Sequence, residues 1–269
     1  MVCALPCREW DIPATPRRGA TPLGATAPNM WGGHVLGAMS TLAHMTTDGE
    51  TYRSMRETIT GLAREHRDDM GRVAPATPEW RARDLLAHLC GVCDDVVNNN
   101  LEGLGGDAWT AAQVDKRRGW DVDEIFDDWA RHAEALDTVI DEAPPGAFGQ
   151  LLFDTWTHEQ DLRGGLSAPG GRDSDVAARC FDWAMTRLDQ RETGAEQPAL
   201  AITTEVGTCR VGVGDPIAEV RASRFELLRA MTGRRSVAQL RGYEWRGEAD
   251  PERLVLAAFF HPPSDDLRE

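Results

Sequence analysis

A chain of 269 residues can bury one large or two medium hydrophobic cores, and two medium domains fit it best. Acidic residues outnumber basic ones by 44 to 29, a formal charge of −15, so the summed field repels a phosphate backbone and argues against nucleic acid as a partner. No stretch reaches the roughly 18–20 apolar residues of a membrane span. The N-terminus also lacks a basic region followed by an apolar core, so the expectation is a cytoplasmic protein with no membrane partner.

Residues 1–44, rich in Pro, Gly, Ala and Thr and without a sustained period, read as a disordered N-terminal extension. From Met45 onward, "MTTDGETYRSMRETITGLAREH" sets Tyr52, Met55, Ile59 and Leu62 at helical spacing and predicts a first helix. A second is expected after "TPEW", with Thr77 as N-cap, Pro78 at the first helical position and Glu79 complementing the dipole, running to Leu101. A third runs from Asp121 to Glu142 through Val122, Ile125, Phe126, Trp129, Ala133, Leu136 and Ile140, and "APPG" stops it; a fourth runs from Phe148 to Leu166 and ends at "APGG". Four helices with short or moderate connections imply an up-down four-helix bundle whose interior can host a metal site. A fifth pattern, "DVAARCFDWAMTRLDQ", leads out of it.

After Gly194 the texture changes. "ALAITTEVGTCRVGVG" places β-branched residues around a "VGT" turn, and "IAEVRAS" resembles another strand. A helix over "RFELLRAMTG", capped by Gly233, and a short helix after Asp250 complete a small α/β domain. The fold class is therefore α+β and mainly α. The boundaries are a 1–44 extension, a 45–192 helical domain and a 193–269 α/β domain. No Gly-rich dinucleotide or P-loop motif is present.

Six cysteines are spread over a chain that needs no staples, so disulfides are not expected. Cys90 and Cys93 form a CxxC inside "DLLAHLCGVCDDVV", in mid-helix rather than at the helix N-terminus where a redox thiol is activated, and read as packing residues.

The segment "DTWTHEQD" carries the most chemistry. On a helix Asp154, His158 and Asp161 fall at i, i+4 and i+7, within about 60° of one another. In isolation this spacing most often marks a solvated polar face. Here Leu151, Leu152, Phe153, Trp156 and Leu162 surround it, so part of the face is expected to be buried, and a buried imidazole and carboxylate need partners that a divalent cation would supply. His88, in "ARDLLAHLCGV", is the other histidine inside a strongly apolar helix, and by itself reads more readily as a hydrogen-bonded core residue. With the Asp/His pair it makes three protein ligands and leaves a coordination position open, the arrangement of a catalytic site. The remaining histidines are weaker candidates, His132 among them in the charged "DDWARHAE". "VDKRRG" puts Arg117 and Arg118 before the third helix, either as solvated loop charge or as a clamp for a substrate carboxylate.

"TPEWRARDLLAHLCGV" followed by "FDTWTHEQDLRGGL" resembles the mycothiol-dependent maleylpyruvate isomerase family, within the DinB-like metal-binding four-helix superfamily. "ASRFELLRAMTGRRSVAQLRGYEWRG" is similar to the C-terminal accessory domain, small and sterol-carrier-like, of many actinobacterial members. The resemblance spans residues 46–266 and implies a divalent metal, usually zinc, on His88, Asp154 and His158, with Asp154 standing where the isomerases often carry Glu. It further implies that Asp161 acts at the thiol or substrate site and that an arginine before the third helix contributes, Arg117 being favoured over Arg118.

Three functional readings are open. The first is a metal- and mycothiol-dependent isomerase or S-transferase in which a thiolate adds to a small electrophilic substrate. The second is a metal-assisted hydrolase on the same scaffold. The third is a non-catalytic metal-binding or regulatory protein. In each the chain is expected to be a monomer or weak homo-oligomer.

Overall fold

A computed structural model of the chain describes residues 47–256 and 260–269; the expectation for residues 1–44 lies outside them. The architecture is α+β and mainly helical. Helix α1 (Asp48–Glu65) starts at a capping box in which the Thr47 side chain accepts from Glu50 N–H and the Glu50 carboxylate accepts from Thr47 N–H. After a short 3-10 turn come strands β1 (Val73–Ala74) and β2 (Thr77–Arg81), an antiparallel pair. Helices α2 (Ala82–Val97), α3 (Asp107–Lys116), α4 (Val122–Asp141), α5 (Gly149–Leu166) and α6 (Asp175–Gly194) come next.

The sequence places the second helix several residues too early. Thr77 and Pro78 lie in β2, whose Thr77 and Trp80 side chains turn inward, and the helix begins only where the Arg81 N–H meets the Asp84 carboxylate at 2.9 Å. Helix α3 is not among the helices expected from the sequence. Its inward face is polar as much as apolar, with Thr110 and Gln113 buried beside Trp109 and Val114, so no hydrophobic period announces it. The third and fourth predicted helices agree with α4 and α5 to within a residue at each end, and Ser167 in the left-handed region ends α5 where "APGG" begins.

Helix α1 packs on α4 and α5, and α2 packs on the same two helices and on α3. Tyr52, Met55 and Ile59 of α1, Leu85 and Leu86 of α2, and Ile125, Trp129 and Leu136 of α4 fill the space between them. Helix α5 differs from its neighbours in being buried along nearly its whole length, polar side chains included. Besides α1 and α2 it meets α6, and at Gly165 it meets β1, where a Cβ would stand 3.2 Å from the Ala74 Cα.

Downstream, β3 (Pro198–Thr204), β4 (Gly207–Val211), β5 (Val213–Arg221) and β6 (Glu244–Gly247) form one sheet in the order β4-β3-β5-β6. The β3–β4 hairpin is antiparallel, β3 and β5 are parallel, and β6 joins antiparallel. The alternation Leu200, Ile202, Ala218, Val220 and Val211 turns one face inward. Helices α7 (Arg224–Met231) and α8 (Val237–Arg241) lie between β5 and β6, and a 3-10 turn over Pro251–Leu254 stands where a short helix is expected after Asp250. Strand β6 and helix α8 add to the elements expected from the sequence. Helix α6 packs on α5, α7 and β4 and so connects the helices to the sheet.

Gly91 lets α3 lie directly on α2, since a Cβ there would collide with the Cβ and Cγ of Gln113. Gly91→Ala should therefore cost about 1–3 kcal/mol by overpacking. In a chain of this size that is a fall of roughly 2–12 °C in melting temperature, measurable by thermal denaturation.

Candidate metal centre

Helix α5 presents Asp154 and His158 one turn apart, and α2 brings His88 against them. One oxygen and two nitrogens of the three side chains lie within 4.8 Å of one another. His88 Nε2 stands 3.7 Å from Asp154 Oδ2, and His158 Nε2 stands 3.6 Å from Asp154 Oδ1. These separations exceed a hydrogen bond. Ligand atoms of a tetrahedral site with bonds of about 2.0–2.1 Å lie roughly 3.3 Å apart, a little closer than the gaps seen here.

All three residues are buried, at 2%, 6% and 0% exposure for His88, Asp154 and His158. His88 Nε2, His158 Nε2 and Asp154 Oδ2 have no hydrogen-bond partner among the described residues. Buried polar atoms without partners are costly, and three that converge on one point fit a cation held between them.

The opposite nitrogen of each imidazole is occupied. His88 Nδ1 meets Gln113 Oε1 at 2.8 Å, and the Gln113 amide nitrogen donates to Asp95 at 2.7 Å, which fixes the amide with its oxygen toward the ring. His158 Nδ1 meets Asp161 Oδ2 at 3.0 Å. Both acceptors therefore draw the ring proton to Nδ1 and leave the Nε2 lone pair facing Asp154, the tautomer a metal ligand needs. Charge shows the same pattern. Burial pushes the Asp154 carboxyl up, but His158, His88 and Arg234 outweigh it and hold it below the ordinary value. Burial pulls the His158 imidazole below its usual range against the opposing pull of Asp154 and Asp161. Asp154 is thus favoured as a carboxylate, the state that binds metal, and the pull of the two imidazoles on it acts only while they carry charge. The Trp80 ring lies beside both imidazoles, with centroids 5.2 Å from His88 and 6.0 Å from His158.

Asp161, expected at the thiol or substrate site, stands behind His158. It is 0% exposed, and its oxygens are taken by His158, by Arg229 Nη2 at 2.7 Å and by Arg234 Nη2 at 2.8 Å. Burial raises its pKa, yet Arg234 and Arg229 drive it well below the carboxylate range, so it stays an anion inside the protein. It is fully buried and reaches the cluster through His158. Arg229 comes from α7 and Arg234 from the turn after it, so the C-terminal segment reaches the cluster through this carboxylate. Neither arginine, nor Gln113, is among the site residues expected from the sequence. The visible signal is an arginine at 229 inside the apolar run "FELLRAM", where a charge requires a buried partner.

Arg117 is not brought to the cluster. It is also 0% exposed, and its guanidinium bonds Asp128 Oδ2 at 2.6 Å, Asp94 Oδ2 at 2.9 Å and the Gln113 carbonyl at 3.3 Å. A clamp for a substrate carboxylate needs free N–H groups at a surface, and Arg117 faces two acids in the interior instead. Arg118 is exposed and pairs with Asp115. Asp94, Asp128 and His132 also come close enough to hold a cation. Here, however, Arg117, Lys116 and Arg131 already neutralise the carboxylates. Cys90 and Cys93 are buried in the core, and burial lifts the Cys93 thiol to about 12 and Cys90 further still, as packing residues require.

No family model matches the chain, and no curated protein matches it by sequence. Two solved structures are similar. The crystal structure of the mycothiol-dependent maleylpyruvate isomerase aligns with a TM-score of 0.49 and 15% identity, over 70% of this chain and 92% of that one. A histidine-to-alanine mutant of a mycothiol-dependent maleylpyruvate isomerase aligns with a TM-score of 0.47 and 17% identity, over 76% and 98%. Both carry the name of the family that the sequence motifs resemble. Among the described residues no helix is long and apolar enough to cross a membrane.

Arg117→Met tests the structural post of that residue. It removes the cation that Asp94 and Asp128 share and leaves them Lys116 and Arg131, which should cost about 1–3 kcal/mol. The melting temperature should fall by roughly 2–12 °C while the metal content of the folded protein does not fall.

Proposed function

We propose that this chain is a metal-dependent enzyme of the mycothiol-dependent maleylpyruvate isomerase type, built on a DinB-like four-helix bundle over residues 45–192 with a small sterol-carrier-like α/β domain over 193–269. His88, Asp154 and His158 would hold a divalent cation, with zinc the first choice for two imidazoles and a carboxylate. The single observation that carries this reading is the convergence of three buried, unpartnered ligand atoms on one point. Mycothiol enters from the sequence resemblance alone. The reaction class is addition of a thiol to a small electrophilic substrate, ending in isomerisation or in a thiol conjugate.

When bound, a metal of this kind supplies the Lewis acidity that lowers the pKa of a thiol or water in an open coordination position. The chain's own residues do the rest. Gln113 and Asp161 hold the Nδ1 protons, so both Nε2 lone pairs point the same way. Trp80 packs beside the two rings and limits water there. Arg229 and Arg234 keep Asp161 ionised, so His158 keeps its acceptor at neutral pH.

A second reading, a metal-binding protein without catalysis, is favoured by one observation: none of the three residues is more than 6% exposed, so a substrate reaches them only if the surroundings open.

The two readings separate in one experiment. Purified protein should contain close to one equivalent of divalent metal, and Ala at any of His88, Asp154 or His158 should remove it. Asp154→Glu should retain it. Calorimetry of zinc-loaded protein with mycothiol, in buffers of different ionisation enthalpy, should show binding with release of a proton. Metal without thiol binding supports the non-catalytic reading or metal-assisted hydrolysis, and full metal occupancy in His88→Ala and His158→Ala eliminates the site.

Gln113 gives a finer test. Gln113→Met keeps the volume and removes the acceptor, so affinity for zinc should fall about 10–100-fold in competition with a chromophoric chelator.

A further inference from the structure

The last turns of α5, the loop after it, the start of α7 and the C-terminal segment enclose a pocket of about 220 Å³. Neither His88, Asp154 nor His158 lines it. Its walls carry three guanidinium groups, those of Arg163, Arg172 and Arg268, against one acidic side chain, Glu269. That carboxylate is itself neutralised by Arg229 and Arg235. Arg163 pairs with Glu159 at 2.8 Å. Arg172 lies over the Phe225 ring, 4.4 Å from its centroid, and donates to a main-chain oxygen of Glu269 at 2.6 Å. Arg268 is exposed and forms no ion pair among the described residues. On a chain with a net charge of −15, the pocket is a locally cationic spot.

Gln160 supplies an independent observation. It lines the pocket from α5 and is 4% exposed, yet its side-chain nitrogen has no hydrogen-bond partner among the described residues. A buried amide donor without an acceptor is unfavourable, and an acceptor in the pocket would satisfy it once the amide turns toward the opening, since the nitrogen has no accessible surface as it stands. Arginine forks and a neutral amide donor together suit a planar or tetrahedral group of oxygens rather than a cation or an apolar ligand.

We propose that this pocket binds a small oxyanion, a carboxylate or phosphoryl group, which accepts from Gln160 Nε2 and lies against the Arg172 and Arg268 guanidiniums. The site does not depend on the metal reading. Its volume takes a small molecule rather than a peptide. Glu269, on its wall, also bonds Arg229, the partner of Asp161, so the occupant would sit a short chain of ion pairs from His158.

The test is calorimetric titration of the full-length protein with inorganic phosphate and, separately, with malonate, at an ionic strength held constant by sodium chloride. The protein is first stripped of metal with a chelator, so that coordination to a metal cannot imitate the pocket. Saturable binding of one equivalent of either anion is expected; tighter phosphate assigns a phosphoryl ligand and tighter malonate a carboxylate. Gln160→Met preserves volume and removes the donor, and Arg268→Ala changes an exposed side chain that the fold does not use. Each should weaken binding about tenfold, the loss of one charge-assisted hydrogen bond. Should Gln160→Met not fold, Arg268→Ala decides alone. Absence of saturable binding of both anions up to about 20 mM, a weak limit for any specific site, overturns the proposal. So does affinity that Arg268→Ala leaves unchanged.

Discussion

The carboxylate of Asp161 is the point on which the two parts of this molecule depend. It is fully buried, and an isolated charge there would be expensive to desolvate. Arg229 and Arg234 offset that cost from the C-terminal side, and His158 uses the same carboxylate from within α5. The sheet and its helices are thereby fixed to the helix that carries two of the three candidate ligands. A single buried anion thus does two jobs: it joins the halves of the chain, and it sets the tautomer of an imidazole.

A matching arrangement stands on the other side of the cluster. Gln113, oriented by Asp95, holds His88 as Asp161 holds His158. The two supports differ in kind, one a neutral amide and the other an ion-paired carboxylate. Neither support touches the point where the ligand atoms meet. The site is therefore pre-organised from outside, and its geometry rests on how closely α3 and α7 approach, which Gly91 permits in the first case.

Much of this was legible in the amino-acid sequence, for identifiable reasons. Helices with a clear apolar stripe, such as α1 and α4, emerge from periodicity alone, and the i, i+4 spacing of Asp154 and His158 survives because α5 is regular there. The candidate trio His88, Asp154 and His158 was nameable because histidines are few and His88 lies in an apolar helix. What stayed hidden lies where burial and polarity do not separate. Helix α3 buries Thr110 and Gln113 and so carries no hydrophobic stripe. "TPEW" has the composition of a helix start, yet forms an edge strand because β1 is there to pair with it. Arg117 in its Lys-Arg-Arg run looks like solvated charge or a substrate clamp, and only the fold brings Asp94 and Asp128 around it. Long-range pairing of charges, the kind that couples Asp161 to Arg229 and Arg234, leaves no local spacing to read.

The central claim is that His88, Asp154 and His158 form one metal site with a position to spare. X-ray absorption spectroscopy of zinc-loaded, thiol-free protein measures this most directly. The account predicts a shell of nitrogen and oxygen scatterers only, at about 2.0–2.1 Å, with the outer-shell pattern of two imidazoles. Sulfur at about 2.3 Å, from the cysteines of the chain, or a shell without imidazole would contradict it.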